Sequence, residues 1–318
     1  MSNKNILVTG ALGQIGTELV PYLRKIYGTG NVVATSRRAN QGHPLVEEGS
    51  FELLDITVPE GIDTVIKKYK IGTIYHLASL LSATGEQDPQ TLWMINVDGL
   101  FNILETARVY GCSIFFPSSI AVFGPDSPRV KTPQDALTRP SSVYGISKVS
   151  GELLCDYYHQ KYGLDIRGLR YPGVISNDAL PGGGTTDYAV HIFYDAIKKG
   201  SYTCFLRNNS SIDMIYMPDV LEGAVKLMET DPAKLLHRNA FNVTAMSITP
   251  EQLEAEIKKH IPSFTVDYEI DPVRQAIADS WPDSLDDSAA RSEWGWNPQY
   301  DLGSMTEDML KTLSGKLK

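Results

Sequence analysis

Asn5-Ile6-Leu7-Val8-Thr9-Gly10-Ala11-Leu12-Gly13-Gln14-Ile15-Gly16 sets an apolar run against three evenly spaced glycines, and an amphipathic stretch follows to residue 27. Strand, glycine turn and helix, in that order, can cradle a phosphate. Gly10 permits the tight turn, Gly13 lets the backbone approach a pyrophosphate, and Gly16 lets the helix lie close on the sheet. The helix N-terminus adds N–H groups and the positive end of its dipole. The spacing is G-x-x-G-x-x-G, not the commoner G-x-G-x-x-G, and a glycine triplet alone also suits a packing loop. The strand before it and the helix after it favour a dinucleotide site.

The alternation continues outward. Residues 4–9, 32–36, 51–54, 73–77, 113–117 and 165–170 read as strands, and 14–27, 61–69, 92–110 and 143–162 as helices. Near-continuous apolar strands, each followed by a helix, predict an α/β fold: a Rossmann-type, doubly wound parallel sheet. After Pro172 the rhythm changes. Residues 181–184 are glycine-rich, 186–199 and 219–229 read as helices, and 212–217 as a strand. The tail is richer in Pro and Trp. The expected division is a dinucleotide-binding domain, 1–171 plus about 208–240, and a smaller C-terminal substrate-binding domain, about 172–207 plus 241–318.

With 318 residues, 42% apolar, the chain can bury a large core without disulfide or metal staples. Acids outnumber bases 38 to 29 and no basic block appears, which argues against a nucleic-acid partner. Cys112, Cys155 and Cys204 are odd in number and far apart, so a reducing compartment is expected. His43, His76, His159, His191, His237 and His260 lack metal-ligand spacing, and no metal is expected. His76 ends a buried strand and reads as structural; Met94 and Cys155 read as packing residues. No apolar run approaches the roughly 18 residues of a membrane span, and no leader is evident. A soluble, cytoplasmic protein without a membrane partner is the expectation.

The second strand ends in Ser36-Arg37-Arg38. An acid there would hold the ribose 2′-hydroxyl of NAD, whereas arginines suit the 2′-phosphate of NADP. Either these residues turn the site towards NADP, or the arginines are a solvated turn. Asp55, after the third strand, is placed for the adenine edge or for capping the next turn. Tyr144 and Lys148 share a helix face. A tyrosine needs a downward shift of about 3 units, about 4 kcal/mol, to be half ionised near pH 7. A neighbouring ammonium pushes that way, and it can also grip the nicotinamide ribose. Ser119 lies at the end of the sheet where ligands gather, placed to hold a substrate oxygen while Tyr144 takes the proton. Ser118 is the competing serine; the alternative for it is a backbone hydrogen bond.

The loop Pro181-Gly182-Gly183-Gly184-Thr185-Thr186-Asp187-Tyr188 offers N–H groups and hydroxyls for a carboxylate, and Asp187 for an ammonium. That combination suits an α-amino acid zwitterion. A flexible loop with a threonine N-cap and an acid favoured by the helix dipole explains the same residues.

These motifs together resemble the extended short-chain dehydrogenase/reductases, the group that includes UDP-galactose 4-epimerase. The matching pieces are Thr9-Gly10-x-x-Gly13-x-x-Gly16, His76-Leu77-Ala78, Asn96, Ser118-Ser119 through Phe123-Gly124, Tyr144-x-x-x-Lys148, Arg170-Tyr171-Pro172-Gly173 and the tail from Asp286 to Pro298. Phe123 stands where a non-catalytic tyrosine is commoner. Within that group, residues 80–86, 171–176, 181–189, 203–216 and 279–284 are similar to the short-chain L-threonine 3-dehydrogenases.

The resemblance implies oxidation of the β-hydroxyl of L-threonine to 2-amino-3-ketobutyrate, with hydride passing to NAD. Tyr144 would be the general base, Ser119 would orient the hydroxyl and Lys148 would tune the tyrosine. It implies cofactor contacts at Gly10, Gly13, Gln14, Ile15 and Gly16, then at Ser36, Arg37, Asp55 and Ile56. Leu77, Ala78, Asn96 and Tyr171 join Tyr144 and Lys148 around the nicotinamide half. The amino acid would lie among Ser82, Ser119, Tyr144, Gly184, Thr185 and Asp187. Trp281 either closes that pocket or packs in the core. The subfamily usually carries Asp at the Ser36 position, so NADP stands beside NAD as the alternative cofactor. The competing functions are a nucleotide-sugar epimerase or dehydratase and a non-catalytic dinucleotide sensor. The first needs a diphosphate pocket, for which the second half offers few bases. The sensor has no use for Ser119, Tyr144 and Lys148. A homodimer through helices 92–110 and 143–162 is expected, as is closure of the loop 177–186 over the substrate.

Overall fold

The structure, a computed structural model, describes residues 5–39 and 41–317; the strand expectation at Lys4 lies outside them. Its strands are β1 (Asn5–Thr9), β2 (Val32–Ser36), β3 (Phe51–Leu53), β4 (Ile71–His76), β5 (Ser113–Ser119), β6 (Ile166–Tyr171), β7 (Gly173–Ile175), β8 (Ser201–Cys204), β9 (Ile212–Tyr216), β10 (Phe241–Asn242), β11 (Met246–Ile248) and β12 (Thr265–Tyr268). Seven form one parallel sheet in the order β10-β6-β5-β4-β1-β2-β3. This is the doubly wound α/β fold that the alternation predicts. Both faces of β1 are buried, which explains its unbroken apolar run. Ile6 and Val8 pack with Leu19, Val20 and Leu23 of the helix Gln14–Tyr27. Leu7 belongs to the opposite layer, with Ile62, Ile66, Ile103 and Leu104.

The chain leaves β1 towards β2 on one side and returns as β4 on the other. That reversal opens a crevice beyond the carboxyl ends of β1 and β4, where ligands bind in such sheets. The remaining strands build the opposing wall. β9 pairs with β7 in parallel and with β11 antiparallel, and β12 pairs with β8. The sequence reading grouped 208–240 with the first domain and 241 onwards with the second. In the structure β9 lies in the smaller sheet, whereas β10 extends the large one beside β6. Tyr188, Phe193, Met214, Phe264, Trp281 and Met309 share the core of this second part.

The helix expected over 92–110 is interrupted. A helix over Pro89–Trp93 passes into a π-helical turn over Met94–Asp98 before Gly99–Tyr110. The turn re-aims Asn96, whose side chain accepts from Leu80 N at 2.8 Å and donates to Leu80 O at 3.1 Å. Met94, expected to pack in the core, lies in this turn and is 44% exposed. Cys155 is fully buried.

Gly10 has φ +66°, and an added Cβ would stand 2.7 Å from Ala78 N. Gly10→Ala is expected to cost about 2–4 kcal/mol of stability, read from the urea midpoint. Gly30→Ala, which meets nothing within 4 Å, is expected to change stability by less than about 0.5 kcal/mol.

Candidate active site

The crevice is closed at its base by backbone. Gly13 N donates to Gly10 O at 3.0 Å and completes the turn after β1. Leu77 and Ala78 press against Gly10, with Ala78 N donating to Thr9 Oγ1 at 3.3 Å. A Cβ on Gly16 would lie 2.6 Å from Gly10 O, so the helix sits as close as glycine allows. No side chain caps the start of Gln14–Tyr27, which leaves its first turn for a ligand. This cradle fits a dinucleotide pyrophosphate. Gln14 reaches across the crevice instead, donating to Val174 O at 3.2 Å and Ser176 Oγ at 2.9 Å.

At the adenine end, Ser36 is half-buried and Arg37 and Arg38 are exposed. Asp55 accepts from Thr57 N at 2.9 Å and Thr57 Oγ1 at 2.7 Å. Those bonds, with a smaller contribution from Arg37, hold its carboxyl below the usual range. Asp55 therefore caps the following turn. Ile56 is buried in the core, where it packs against Gly99. Asn96, expected at the cofactor, also donates to Ser147 Oγ at 3.2 Å and braces the 80–82 segment against the helix Val143–Tyr162.

A cavity of about 140 Å³ brings twelve of the candidate residues together. Gln14, Ile15, Leu77 and Tyr171 line its cofactor side; Ser119, Tyr144 and Lys148 its floor; Ser82, Gly184, Thr185, Asp187 and Trp281 its far wall. Gly10, Gly13, Gly16, Ser36, Arg37, Asp55, Ile56, Ala78 and Asn96 are not among its lining. Trp281 packs in the core, 5% exposed, and also lines the cavity.

The sequence places the floor of the cavity simply. Ser142 accepts from Gly145 N at 3.1 Å and starts the helix Val143–Tyr162, so Tyr144 sits in its first turn. Gly145 lets that turn press on the chain after Ser119: a Cβ there would lie 2.2 Å from Ala121 O. Lys148, one turn on, donates from Nζ to Pro117 O at 2.9 Å. Its ammonium is 5.6 Å from the Tyr144 ring centroid. Burial pushes the Tyr144 hydroxyl up to about 12, and the hydrogen-bonded Ser119 hydroxyl opposes that rise. The opposing pull comes from Ser119, not from Lys148 as the sequence reading expected. Burial also brings Lys148 down to about 8, against the pull of Glu152 and Cys155. His76 is fully buried, bonded to Thr9 Oγ1 at 2.9 Å and pushed down to about 3 by burial, as a structural histidine should be.

The glycine-rich loop differs from expectation. One oxygen of Asp187 accepts from Gly183 N at 2.9 Å and Gly184 N at 2.8 Å. The N–H groups expected to meet a substrate carboxylate are held by the loop's own acid. Asp187 lies three and four residues beyond these glycines, so the turn returns it to them. Gly183, at φ +97°, makes that turn possible. Ser82 Oγ and Thr185 Oγ1 are 3.2 Å apart and join the loop to the 80–82 segment.

One element went unread. Ser118 does not bond to backbone; its hydroxyl donates to Glu152 at 2.5 Å, and Glu152 is paired with Arg170. The spacing Tyr144-x-x-x-Lys148-x-x-x-Glu152 carried the signal, because a third residue at that interval shares the buried face. Among the described residues, no group of three or more His, Cys, Asp or Glu could hold a metal ion, and no helix is long and apolar enough to cross a membrane.

Lys148 gives a stability prediction. Between about pH 8 and its unfolded value near 10.5, the unfolded chain binds one more proton, so native stability rises with pH there. Below pH 8 the buried charge costs its full amount. Lys148→Met is therefore expected to raise the thermal midpoint at pH 7, with the gain shrinking as pH rises above about 8.

Comparisons with known proteins agree with this geometry. The model of the NAD dependent epimerase/dehydratase family matches residues 6–244. An uncharacterized epimerase/dehydratase of Staphylococcus haemolyticus is 52% identical over 98% of each chain. The X-ray structure of L-threonine dehydrogenase from Clostridium difficile is 55% identical, covers 98% of each chain and superposes with a TM-score of 0.97. A monomeric L-threonine 3-dehydrogenase from a metagenome is 44% identical over 98% of this chain and all of its own, with a TM-score of 0.95. A nicotinamide dinucleotide is the cofactor these likenesses imply. The crevice, the glycine cradle and the matched length together place this chain in the NAD dependent epimerase/dehydratase family.

Proposed function

We propose that the protein is an L-threonine 3-dehydrogenase, oxidising the β-hydroxyl of L-threonine to 2-amino-3-ketobutyrate with NAD as acceptor. The observation that carries this reading is the cavity. It joins Ser119, Tyr144 and Lys148 to Ser82, Thr185 and Asp187 within about 140 Å³. Its far wall offers two hydroxyls and a carboxylate opposite the Tyr144 and Lys148 side chains, a donor set that suits a small hydroxylated amino acid.

Gly10, Gly13 and Gly16 would hold the pyrophosphate, and Lys148 the nicotinamide ribose. When bound, NAD accepts the hydride that leaves Cβ. Ser119 orients the substrate hydroxyl and Tyr144 takes its proton, so one proton and one hydride leave the alcohol. The Lys148 ammonium favours the phenolate that Tyr144 must become. The substrate carboxylate takes over the Gly183 and Gly184 N–H groups, which frees Asp187 to accept from the ammonium. Ser36, Arg37 and Arg38 leave NADP as the alternative acceptor. Two apolar strips, Trp93, Phe101 and Val109 on one side and Ile146, Leu153 and Tyr157 on the other, are exposed on the helices proposed to form a homodimer.

Absorbance at the reduced-nicotinamide band, with L-threonine and either NAD or NADP, tests the activity and ranks the cofactors. Tyr144→Phe is expected to lower kcat by about 10²–10⁴-fold with the fold retained. No reduction by the folded wild type with either cofactor, together with turnover of a nucleotide sugar, would replace this reading with the epimerase. Asp187→Asn should raise the KM for L-threonine more than it lowers kcat. For assembly, Leu153→Arg is expected to halve the mass found by light scattering; an unchanged mass would remove this dimer.

A further inference from the structure

Glu152 is 5% exposed, yet the reaction sketched above does not use it. Its Oε1 accepts from Ser118 Oγ at 2.5 Å and Arg170 Nε at 2.9 Å, and its Oε2 from Arg170 Nη2 at 2.8 Å. Arg170 Nη1 goes on to Gln134 O at 2.7 Å, so the buried pair is well bonded. Ser118 pairs with Arg170 across β5 and β6, and the next rung pairs Ser119 with Tyr171. The carboxylate therefore clamps the rung directly beneath two residues of the cavity. It also lies one helical turn beyond Lys148, on the same buried face.

We infer that Glu152 is a positioning residue for the reaction, holding the ends of β5 and β6 in register under Ser119 and Tyr171 and supplying a fixed negative charge one turn from the Lys148 ammonium. The inference rests on the role proposed for Lys148. The other groups around Glu152 leave it this part. On its own helix are Lys148, Cys155, Asp156 and His159. Arg170 faces it from β6, and Asn239 Nδ2 donates to its backbone oxygen at 3.0 Å. Asp135, His237 and Arg238 line the far side of an adjoining cavity of about 320 Å³, of which Glu152 forms one wall. Among these, Arg170 alone pairs with the Glu152 carboxylate. Glu152 also works against the fall that burial imposes on the Lys148 ammonium.

The test is the pH dependence of NADH affinity, followed by fluorescence on the full chain, beside kcat and KM for L-threonine. Glu152→Gln keeps the side chain's shape and removes its charge. The pH at which NADH affinity is lost should move towards acid by at least about one unit. The kcat should fall about tenfold or more, with KM within about threefold of wild type. A folded Glu152→Gln with an unmoved NADH profile and wild-type kcat overturns the inference, since a merely structural carboxylate changes only the thermal midpoint. If that variant does not fold, Glu152→Asp keeps the charge and shortens the reach. It should keep the NADH profile and lose kcat; a shifted profile or wild-type kcat overturns the inference. NADH binding involves no amino acid. A wild type that binds NADH but leaves L-threonine unchanged would sink the functional reading, while the profile still decides the part of Glu152.

Discussion

A lysine ammonium buried at the carboxyl end of a parallel sheet is the constraint that shapes this protein. Lys148 is 5% exposed, and an unpaired ammonium at such depth costs several kcal/mol. The fold offsets that cost locally. Pro117 offers a carbonyl at 2.9 Å, and the Phe116 ring centroid lies 5.1 Å from Nζ. Both sit on β5, so the helix Val143–Tyr162 must lie tightly against that strand. Gly145 and Gly151 allow it: a Cβ on Gly151 would stand 2.5 Å from Phe116 Cζ. The same approach sets Tyr144 beside Ser119. Stability given up at Lys148 thus appears as an ammonium held beside the Tyr144 ring, a trade common to sites whose groups are tuned by burial.

The glycine-rich loop adds a second economy of the same kind. Asp187 satisfies the Gly183 and Gly184 N–H groups with its own carboxylate, so the loop keeps a built shape. In the proposed function a ligand carboxylate would exchange for it with little change in hydrogen-bond number, and a ligand lacking either charge would gain only half of that exchange. Desolvation pushes the Asp187 carboxyl upward in this structure, while the two glycine N–H groups restrain it.

Much of the architecture was legible because local rules and global burial agree. β1 reads as an unbroken apolar run since both its faces are covered, and two of the glycines after it answer to close backbone approach: a Cβ on Gly10 or Gly16 would stand 2.7 or 2.6 Å from a backbone atom. Periodicity alone gave Tyr144 and Lys148 a shared helix face; the nucleotide loop and the upstream serines made them site candidates. What stayed hidden depended on partners distant in sequence. The π-helical turn at Met94–Asp98 serves Asn96 and its bonds to Leu80, which no helical pattern encodes. β10 is two residues long and takes its place in the large sheet only through pairing with β6. Ser118 and Arg170 flank residues that drew notice for themselves, and Glu152 joins them from a third element. The bonds of Asp187 to the loop before it stayed hidden as well, because they are a matter of backbone conformation, not composition.

The central claim is that Cβ of L-threonine is the carbon oxidised in the cavity above Tyr144. L-Threonine deuterated at Cβ, turned over with NAD and examined by mass spectrometry of the reduced nicotinamide, tests it most directly. The account predicts one deuterium in each reduced cofactor and a slower reaction than with unlabelled substrate. Reduced cofactor without deuterium, or deuterium retained at Cβ of the product, would contradict it.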